Sequence, residues 1–279
     1  MPDTRPPALQ LAPTTYSPSL LEDALACPYK AALTRHFGLR EWEAFNALPN
    51  AREFGLILHS ALEDFWQTWP SRTVTPADRG AAEDALTTFF AKHLKRQAEE
   101  LTPLWQPRLT RLAPALVEDW IESGEAGYHV QAAEEEITEV VSGLTVKARV
   151  DRLDVNTKTN ALTVIDFKSG STPSPKQLKT GEKPQLAIEG ALFQAQEKDL
   201  ENLRYVRLKG YGKEMILTED MADVPAAIAA AEEGLGRLKN VLTTSWQATP
   251  NLSEGGREKA GHCTYCPHNG VCRFQEIGW

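Results

Sequence analysis

The stretch LTVIDFKSG, residues 162–170, decides the fold, because a short apolar run ends there in Asp166, Phe167 and Lys168. An apolar run followed directly by a Ser-Gly turn predicts a central strand of a sheet. Side chains alternate along a strand, so Asp166 and Lys168 share one face. Charged groups at the end of a buried strand, next to a glycine turn, are typical of a functional site.

A second carboxylate, Asp151, lies fifteen residues earlier on the predicted neighbouring strand. A hairpin can bring it beside Asp166 and Lys168. Two carboxylates and an ammonium on one sheet face are costly to bury unless they act together. Divalent cations prefer oxygen ligands of this kind, and a nearby lysine can orient a water or stabilise phosphate charge. A D-x-K triplet alone is common, so an exposed sheet face with a Lys–Asp ion pair is the alternative.

The sequence around this strand predicts a mixed sheet covered by helices, an α/β or α+β fold. Hydrophobic periodicity indicates helices before and after the strands. The predicted helices cover 17–37, 52–69, 75–101, 107–124, 183–198 and 224–243, and the predicted strands cover 130–141, 144–154, 161–167, 203–209 and 213–217. No linker divides the chain, so we expect a flexible Pro-rich arm at 1–16 and a single domain at 17–279, with a helical insertion at about 70–129.

Composition excludes several classes of protein. The chain has 279 residues, of which 42% are hydrophobic and 24% are charged, as in globular proteins rather than disordered ones. No apolar run approaches the roughly 18 residues of a membrane span, and the N-terminus lacks the apolar core of a secretory signal. We therefore expect a cytoplasmic protein without a membrane partner. The formal charge of −8 excludes a uniformly basic surface but not a local basic patch.

The four cysteines form one pattern. Cys263, Cys266 and Cys272 are spaced C-x2-C-x5-C, and Cys27 lies 236 residues before the first of them. Two disulfides are improbable in a reducing compartment, and this clustering suggests a metal or cluster site. Buried free thiols and a four-thiolate zinc site are the alternatives. We interpret the neighbouring His262 and His268 as ordinary loop residues.

Six motifs in order resemble the RecB-like branch of the PD-(D/E)XK nuclease superfamily. This branch includes nuclease domains of bacterial recombination helicase–nucleases and the nucleases of CRISPR spacer adaptation. The motifs are YSPSLLEDALACPYK (16–30), GLILHSALE (55–63), VKARVDRLD (146–154), VIDFKSG (164–170), QLAIE (185–189) and CTYCPHNGVC (263–272). The resemblance implies a restriction-endonuclease-like mixed β-sheet flanked by helices, with a helical insertion and a C-terminal cysteine cluster.

The resemblance also implies a role for each matching residue. His59, Asp151, Asp166 and the backbone carbonyl of Phe167 would hold Mg²⁺ or Mn²⁺, and the imidazole suits Mn²⁺ somewhat better. Lys168 would act on the attacking water, and Gln185 would orient Lys168 or that water.

Three acidic residues near these motifs need separate interpretations. Glu189 departs from the resemblance, since the family often has Tyr there. Asp154 is either a residue behind the site or a plain turn acid, and turn chemistry favours the latter. Glu135 either lines the edge of the site or belongs to a solvated strand, which the surrounding acidic run favours.

For the cysteines the resemblance implies a [4Fe–4S] cluster with Cys27 as the distant ligand, and zinc is the alternative. The implied function is a metal-dependent deoxyribonuclease acting on single strands or DNA ends, in recombination, repair, phage replication or CRISPR adaptation. A catalytically silent DNA-binding module and a zinc-stapled interaction protein are the alternatives. No GxxxxGK[ST] motif occurs, so a helicase or recombination partner would be a separate chain. The expected phosphate contacts are Lys176, Lys179, Arg204, Arg207 and Lys209.

Overall fold

A computed structural model describes residues 15–40, 51–179, 181–212, 214–243, 263 and 266–272. Its centre is a five-stranded sheet in which the strands follow one another in chain order. The strands are β1 (Tyr128–Val141), β2 (Leu144–Asn156), β3 (Leu162–Lys168), β4 (Leu200–Leu208) and β5 (Ile216–Asp220). All neighbouring strands are antiparallel except β3 and β4, which are parallel and therefore need a crossover connection.

Helices cover both faces of the sheet in the described residues. They are α1 (Pro18–Ala26), α2 (Pro28–Ala31), α3 (Ala51–Thr68), α4 (Arg79–Ala98), α5 (Thr102–Ala126), α6 (Pro175–Lys179), α7 (Gln185–Ala195), α8 (Val224–Thr243) and α9 (Asn269–Cys272), with a π-helical turn at Ala32–His36 and 3₁₀ turns at Pro76–Asp78 and Glu99–Leu101. The crossover between the parallel strands is α7.

Two apolar clusters hold the helices against the sheet. In the first, α1, α7 and α8 pack on one face, which includes Leu162 and Val164 of β3. In the second, α3, α4 and α5 pack on the other face, which includes Ile165 and Phe167. Burial on both faces explains why β3 reads as a continuous apolar run. Asp166 lies on the same face as Val164, because side chains alternate along the strand.

The expected mixed α/β fold is confirmed, with local differences. The Ser142-Gly143 turn joins β1 and β2, and both residues have positive φ. The last strand begins at Ile216 rather than at 213, because Gly210 and Gly212 also have positive φ and lengthen the turn. The short helix α6 was not predicted.

The single first helix expected at 17–37 is interrupted at Cys27. This residue has extended backbone (φ −160°, ψ 106°) and caps α2, which begins at Pro28. A residue before proline disfavours helical backbone, which explains the break. Ser17 caps α1, since its hydroxyl accepts a hydrogen bond from the backbone of Leu20.

Two positions near the N-terminus and in β2 differ from expectation. Residues 1–14 of the expected arm lie outside the described part, but Tyr16 is buried and bridges Val146 through backbone hydrogen bonds to the start of β2. Asp154 is not a turn acid, since it is buried on β2 and forms a bidentate ion pair of 2.6 and 2.7 Å with Arg152. A buried carboxylate needs such a partner.

Candidate metal-dependent active site

The site begins where β2 and β3 diverge. Their ladder ends at the pair Arg152 and Ile165. One residue further along, the carboxylate of Asp151 replaces the missing backbone acceptor and takes a hydrogen bond of 2.7 Å from the backbone N–H of Phe167. This bond fixes Asp151 next to the D-x-K segment, as the hairpin argument predicted.

The neighbouring strand β1 contributes Glu134. It lies between the register pairs Ala133–Arg152 and Glu135–Val150, and therefore opposite Asp151. Its φ of +54° is unusual for a residue with a side chain. Backbone strain of this kind clusters at functional sites, and here it accompanies a carboxylate that is only 10% exposed.

The helix α3 places His59 over these two carboxylates. Its Nδ1 lies 3.2 Å from Asp151 Oδ1 and 3.6 Å from Glu134 Oε1. One turn earlier, Gly55 allows the helix to approach the end of β3, since a Cβ there would lie 2.8 Å from Ser169 Oγ. The spacing in GLILHSALE therefore has a physical reason, because the glycine sets the distance at which the histidine meets the sheet.

Electrostatics in this cluster favour a cation. Burial lowers the pKa of His59, but the carboxylates of Asp151 and Glu134 outweigh burial and raise that pKa to about 10. Arg149 also pairs with Glu134, at 3.0 Å. The two carboxylates therefore attract positive charge, which either a protonated imidazole or a bound metal ion would supply.

The second half of the site is built around Asp166. Lys168 Nζ lies 2.8 Å from both carboxylate oxygens and hydrogen-bonds to Oδ1, which also accepts from Gln185 Nε2 at 3.1 Å. The other oxygen, Oδ2, is buried beside the Lys168 ammonium and accepts no directed hydrogen bond from the described residues. Burial and the negative charge of Asp151 raise the pKa of Asp166 to about 7. The Lys168 ammonium therefore lies against both carboxylate oxygens, and Gln185 anchors Oδ1 as well.

The ammonium of Lys168 remains charged in this environment. Burial alone would lower its pKa, but the carboxylates of Asp166 and Asp151 outweigh burial and raise it. The ammonium also lies 5.6 Å from the centroid of the Tyr205 ring. Lys168 is thus a cationic hydrogen-bond donor, which suits it to orienting water or stabilising negative charge rather than to accepting a proton.

Helix α7 supplies Gln185 and a further acid, Glu189. Besides Asp166, the amide of Gln185 donates to Glu189 Oε1 at 3.2 Å. Glu189 is buried, and burial together with the charge of Asp166 raises its pKa well above its ordinary value. The backbone N–H of Gln185 in turn donates to Glu22 Oε2 at 3.2 Å. This last contact lets α1 position the start of α7 and, through it, Gln185.

The donor set fits a divalent metal ion. The ligand atoms of His59, Glu134 and Asp151 lie within 4.8 Å of one another. Asp166 is not in that set in the described residues, but its carboxylate lies where the same two strands, β2 and β3, diverge. Carboxylate oxygens with one imidazole suit Mn²⁺ or Mg²⁺ rather than a soft metal.

The structure does not gather the expected phosphate-contacting residues in one place. Arg207 and Lys209 lie at the carboxyl end of β4, where Arg207 is in register with Lys168. Arg204 is three residues earlier and is held by Asp220 at 2.6 and 3.1 Å. Lys176 is exposed on α6, and the side chain of Lys179 lies outside the described residues.

Two segments that are far apart in the sequence bring Cys27 and Cys272 together. Cys27 is buried, whereas Cys263, Cys266 and Cys272 are partly buried. Burial and the thiol groups of Cys272 and Cys27 raise the pKa of Tyr29, so both sulfurs lie near one ring.

His268 links the same two segments. It is not an ordinary loop residue, since it is buried and its Nε2 lies 2.7 Å from Thr34 Oγ1, and burial lowers its pKa. His262 lies outside the described residues.

Two site residues escaped the sequence reasoning. Glu134 sits in the run Glu134-Glu135-Glu136, which reads as a solvated face, and only its positive φ turns it inward. Glu135 is exposed, which confirms the solvated interpretation for that residue. Glu189 was treated as a departure from a pattern, although a glutamate within the apolar sequence LAIEGALF signals a buried acid with a partner.

Comparison with known proteins defines the class to which this fold and site belong. Residues 15–273 match the PD-(D/E)XK nuclease superfamily, and the chain belongs to that superfamily. Membership supports a nuclease, that is, a hydrolase of phosphodiester bonds. None of the described helices is long and apolar enough to cross a membrane.

The individual relatives are distant. An uncharacterized protein of Rickettsia conorii is 24% identical over 193 residues, 65% of this chain and 22% of the relative. Another from Rickettsia bellii is 22% identical over 192 residues, 66% of this chain and 23% of the relative. The chain thus spans about a fifth of the length of these curated relatives. A solved structure from Eubacterium rectale named "Putative exonuclease" aligns over 92% of this chain and 88% of its own, with 14% identity and a TM-score of 0.49.

Proposed function

We propose that this chain is a metal-dependent deoxyribonuclease that hydrolyses phosphodiester bonds in single strands or at DNA ends. One observation carries the proposal. His59, Glu134 and Asp151 converge on a common point beside the Asp166–Lys168 pair, at the fork between β2 and β3. Phosphodiester hydrolysis needs a cation near the phosphate, a positioned water and a group that stabilises developing charge. This cluster provides carboxylate and imidazole ligands for the cation, and the Lys168 ammonium to orient water or stabilise charge.

His59, Glu134, Asp151 and Asp166 would hold the metal ion, with the Phe167 carbonyl as a further ligand. A bound Mg²⁺ or Mn²⁺ would polarise the scissile phosphate and lower the pKa of a coordinated water. The buried Oδ2 of Asp166 supports this arrangement, because among the described residues it lies beside the Lys168 ammonium but accepts no directed hydrogen bond.

The remaining site residues would orient the water or the Asp166 carboxylate and balance the charge around the metal ion. Lys168, which stays protonated, would donate to the attacking water or to a phosphate oxygen. Gln185 contacts Asp166 and Glu189, so it would act by holding the Asp166 carboxylate rather than by holding Lys168. Glu189 would be a neutral acid that accepts this hydrogen bond without adding another charge.

We also propose that Cys27, Cys263, Cys266 and Cys272 bind a [4Fe–4S] cluster, with zinc as the alternative. The placement of Cys27 and Cys272 near Tyr29 and the Thr34–His268 contact support a shared site at the two chain ends. Hydrolysis moves no electrons, so the cluster would serve as a structural clasp. In this proposal residues 17–279 form one domain, the helices at about 70–129 are an insertion, and the protein is cytoplasmic.

Substrate and metal are tested together with end-labelled single-stranded and double-stranded DNA and RNA, in Mn²⁺, Mg²⁺ or chelator. We expect cleavage of DNA that requires metal and proceeds from ends or in single strands. Supplying a helicase or recombination partner is a second step, since this chain has no ATP-binding motif of its own.

A matched pair of variants tests the site itself. Glu134→Gln should weaken metal binding and lower turnover at limiting Mn²⁺, whereas Glu135→Gln, on the exposed side of the same strand, should behave as wild type. Binding of DNA with no cleavage in any metal would instead indicate a catalytically silent DNA-binding module. Stoichiometric zinc without cleavage or DNA binding would indicate an interaction protein.

A further inference from the structure

Beside the proposed active site, a second group of positive charges lies at the carboxyl ends of β3 and β4. Arg207 of β4 is paired in register with Lys168 of β3. Neighbouring strands lie about 4.8 Å apart, so residues in register are adjacent on the same face. The positive charge of the active site therefore continues onto the next strand.

Arg207 differs from Lys168 in having no acidic partner among the described residues. Lys168 is held by Asp166. In contrast, the Nε of Arg207 is buried and has no hydrogen-bond partner within the described part of the chain. A buried donor without an acceptor is costly, particularly on a charged group. The described residues therefore leave a buried donor of this guanidinium without an acceptor.

Arg108, on α5, joins Arg207 from the other side of the strand end. Its guanidinium carbon lies 3.7 Å from the centroid of the Phe54 ring and 5.0 Å from that of Tyr211, and its Nε donates to the carbonyl of Lys209. Tyr211 is 51% exposed. The aromatic contacts and the bond to Lys209 fix the plane of the guanidinium, whose two terminal nitrogens carry its other N–H groups.

Gly210 shows that the loop after β4 is built around this arginine. Its φ is +64°, and a Cβ there would lie 2.5 Å from Arg108 Cγ and 3.1 Å from the Arg108 carbonyl oxygen. A side chain at this position would force the loop away from Arg108. The arginine is therefore enclosed by the loop rather than lying freely on the surface.

Two guanidinium groups held close together repel each other. Burial lowers the pKa of Arg108; Tyr211 partly offsets this, and the charge of Arg207 lowers it further. Within the described residues, neither arginine forms an ion pair with a carboxylate. A phosphate would neutralise both charges and accept the unused N–H groups in bidentate fashion.

We propose that Arg108 and Arg207 form a binding site for a phosphate of the substrate strand that is not cleaved. The site would lie next to the phosphate that is cleaved and would hold the nucleic-acid strand in position beside Lys168. This inference rests on the proposed function for the identity of the anion, a phosphodiester of a nucleic-acid strand. Tyr211, exposed beside Arg108, flanks the path along which the neighbouring nucleotide would lie.

Salt dependence of binding tests the proposal directly. The dissociation constant of a labelled single-stranded oligonucleotide is measured in chelator across a range of salt concentrations. Each phosphate contact in a single strand contributes about 0.7 to the slope of log K against log salt. Arg207→Gln and Arg108→Gln should each weaken binding about tenfold and flatten the slope, and the double variant should lose about the whole contribution of one phosphate contact.

Two controls separate charge from packing. Arg111 is an exposed residue one turn after Arg108 on α5. The variant Arg111→Gln should therefore leave the slope unchanged. Arg108→Lys keeps the charge but not the planar fork, so it should retain the slope that Arg108→Gln loses. Melting temperatures of all variants show whether the fold survives, and Arg207→Gln tests the site even if Arg108→Gln fails to fold.

The proposal is overturned if Arg207→Gln and Arg108→Gln bind with the wild-type slope, or if Arg111→Gln loses as much. Cleavage in Mn²⁺ by the same variants separates this inference from the proposed function. If the wild type cuts DNA and the arginine variants bind normally, the result supports the nuclease assignment and refutes the phosphate site. If the arginine variants lose binding but the wild type cuts nothing in any metal, the result supports the phosphate site and refutes the nuclease assignment.

Discussion

Protons and metal ions should compete for the proposed site, and a change of pH is the simplest perturbation that reveals this competition. The pKa of His59 is about 10 in the metal-free protein, because Asp151 and Glu134 outweigh burial. The imidazole is therefore protonated throughout the range from pH 6 to pH 8. A metal ligand must be the neutral imidazole, so binding a metal ion releases this proton.

The magnitude of the effect follows from counting protons. With one proton displaced, the metal association constant should rise about tenfold for each pH unit below the pKa of His59. The pKa of Asp166 is about 7, so below neutral pH a second proton is also displaced. The slope of log K against pH should therefore be about one near pH 8 and approach two near pH 6.

Titration calorimetry with Mn²⁺ checks this at three pH values, in pairs of buffers with different ionisation heats. The difference in heat between buffers counts the released protons directly. His59→Ala should bind Mn²⁺ more weakly and lose about one unit of the slope. A metal affinity independent of pH, or a heat that does not depend on the buffer, would refute the assignment of His59 as a ligand.

Further predictions concern the residues around the metal and the chain ends. Asp166→Asn and Lys168→Met should each lower single-turnover cleavage by about 10²-fold or more with little change in melting temperature. Glu189→Gln should keep cleavage within about threefold of wild type, because burial already favours the neutral acid that Gln mimics; a loss as large as that of Asp166→Asn would mean that Glu189 acts as a carboxylate. Cys27→Ala should lose iron and destabilise the protein by about 5 kcal/mol, the chain-entropy estimate for a loop of about 236 residues, whereas unchanged iron content and melting temperature would exclude the clasp.

The sheet could be predicted because its signals are local. The apolar run at 162–167 predicts β3, in agreement with the structure. The strands predicted at 130–141 and 144–154 leave only Ser142 and Gly143 between them, and these two residues form the turn between β1 and β2. The helices with clear periodicity, such as Val224–Thr243, were also predicted correctly. The interruption of the first helix at Cys27 was not predicted, although Pro28 favours it, because the helical spacing of apolar residues continues across the proline.

The site could be predicted only in part, since some of its residues depend on tertiary context. Asp151, Asp166 and Lys168 follow from strand alternation and one hairpin. Glu134 does not, because a positive φ within an acidic strand leaves no trace in the spacing of residues. Asp154 was misread for a related reason, since its partner Arg152 is on the same strand and both side chains are buried by the helices of the second cluster.

The central claim is that the fork between β2 and β3 is a metal-dependent active site, and single-turnover cleavage by Asp151→Asn tests it most directly. This carboxylate both faces His59 and holds the backbone of Phe167, and asparagine preserves its shape. The account predicts that wild-type protein cuts a labelled DNA strand in Mn²⁺ and stops in chelator, while Asp151→Asn binds the strand but does not cut it. Cleavage by Asp151→Asn at the wild-type rate, or cleavage by wild type that persists in chelator, would contradict it.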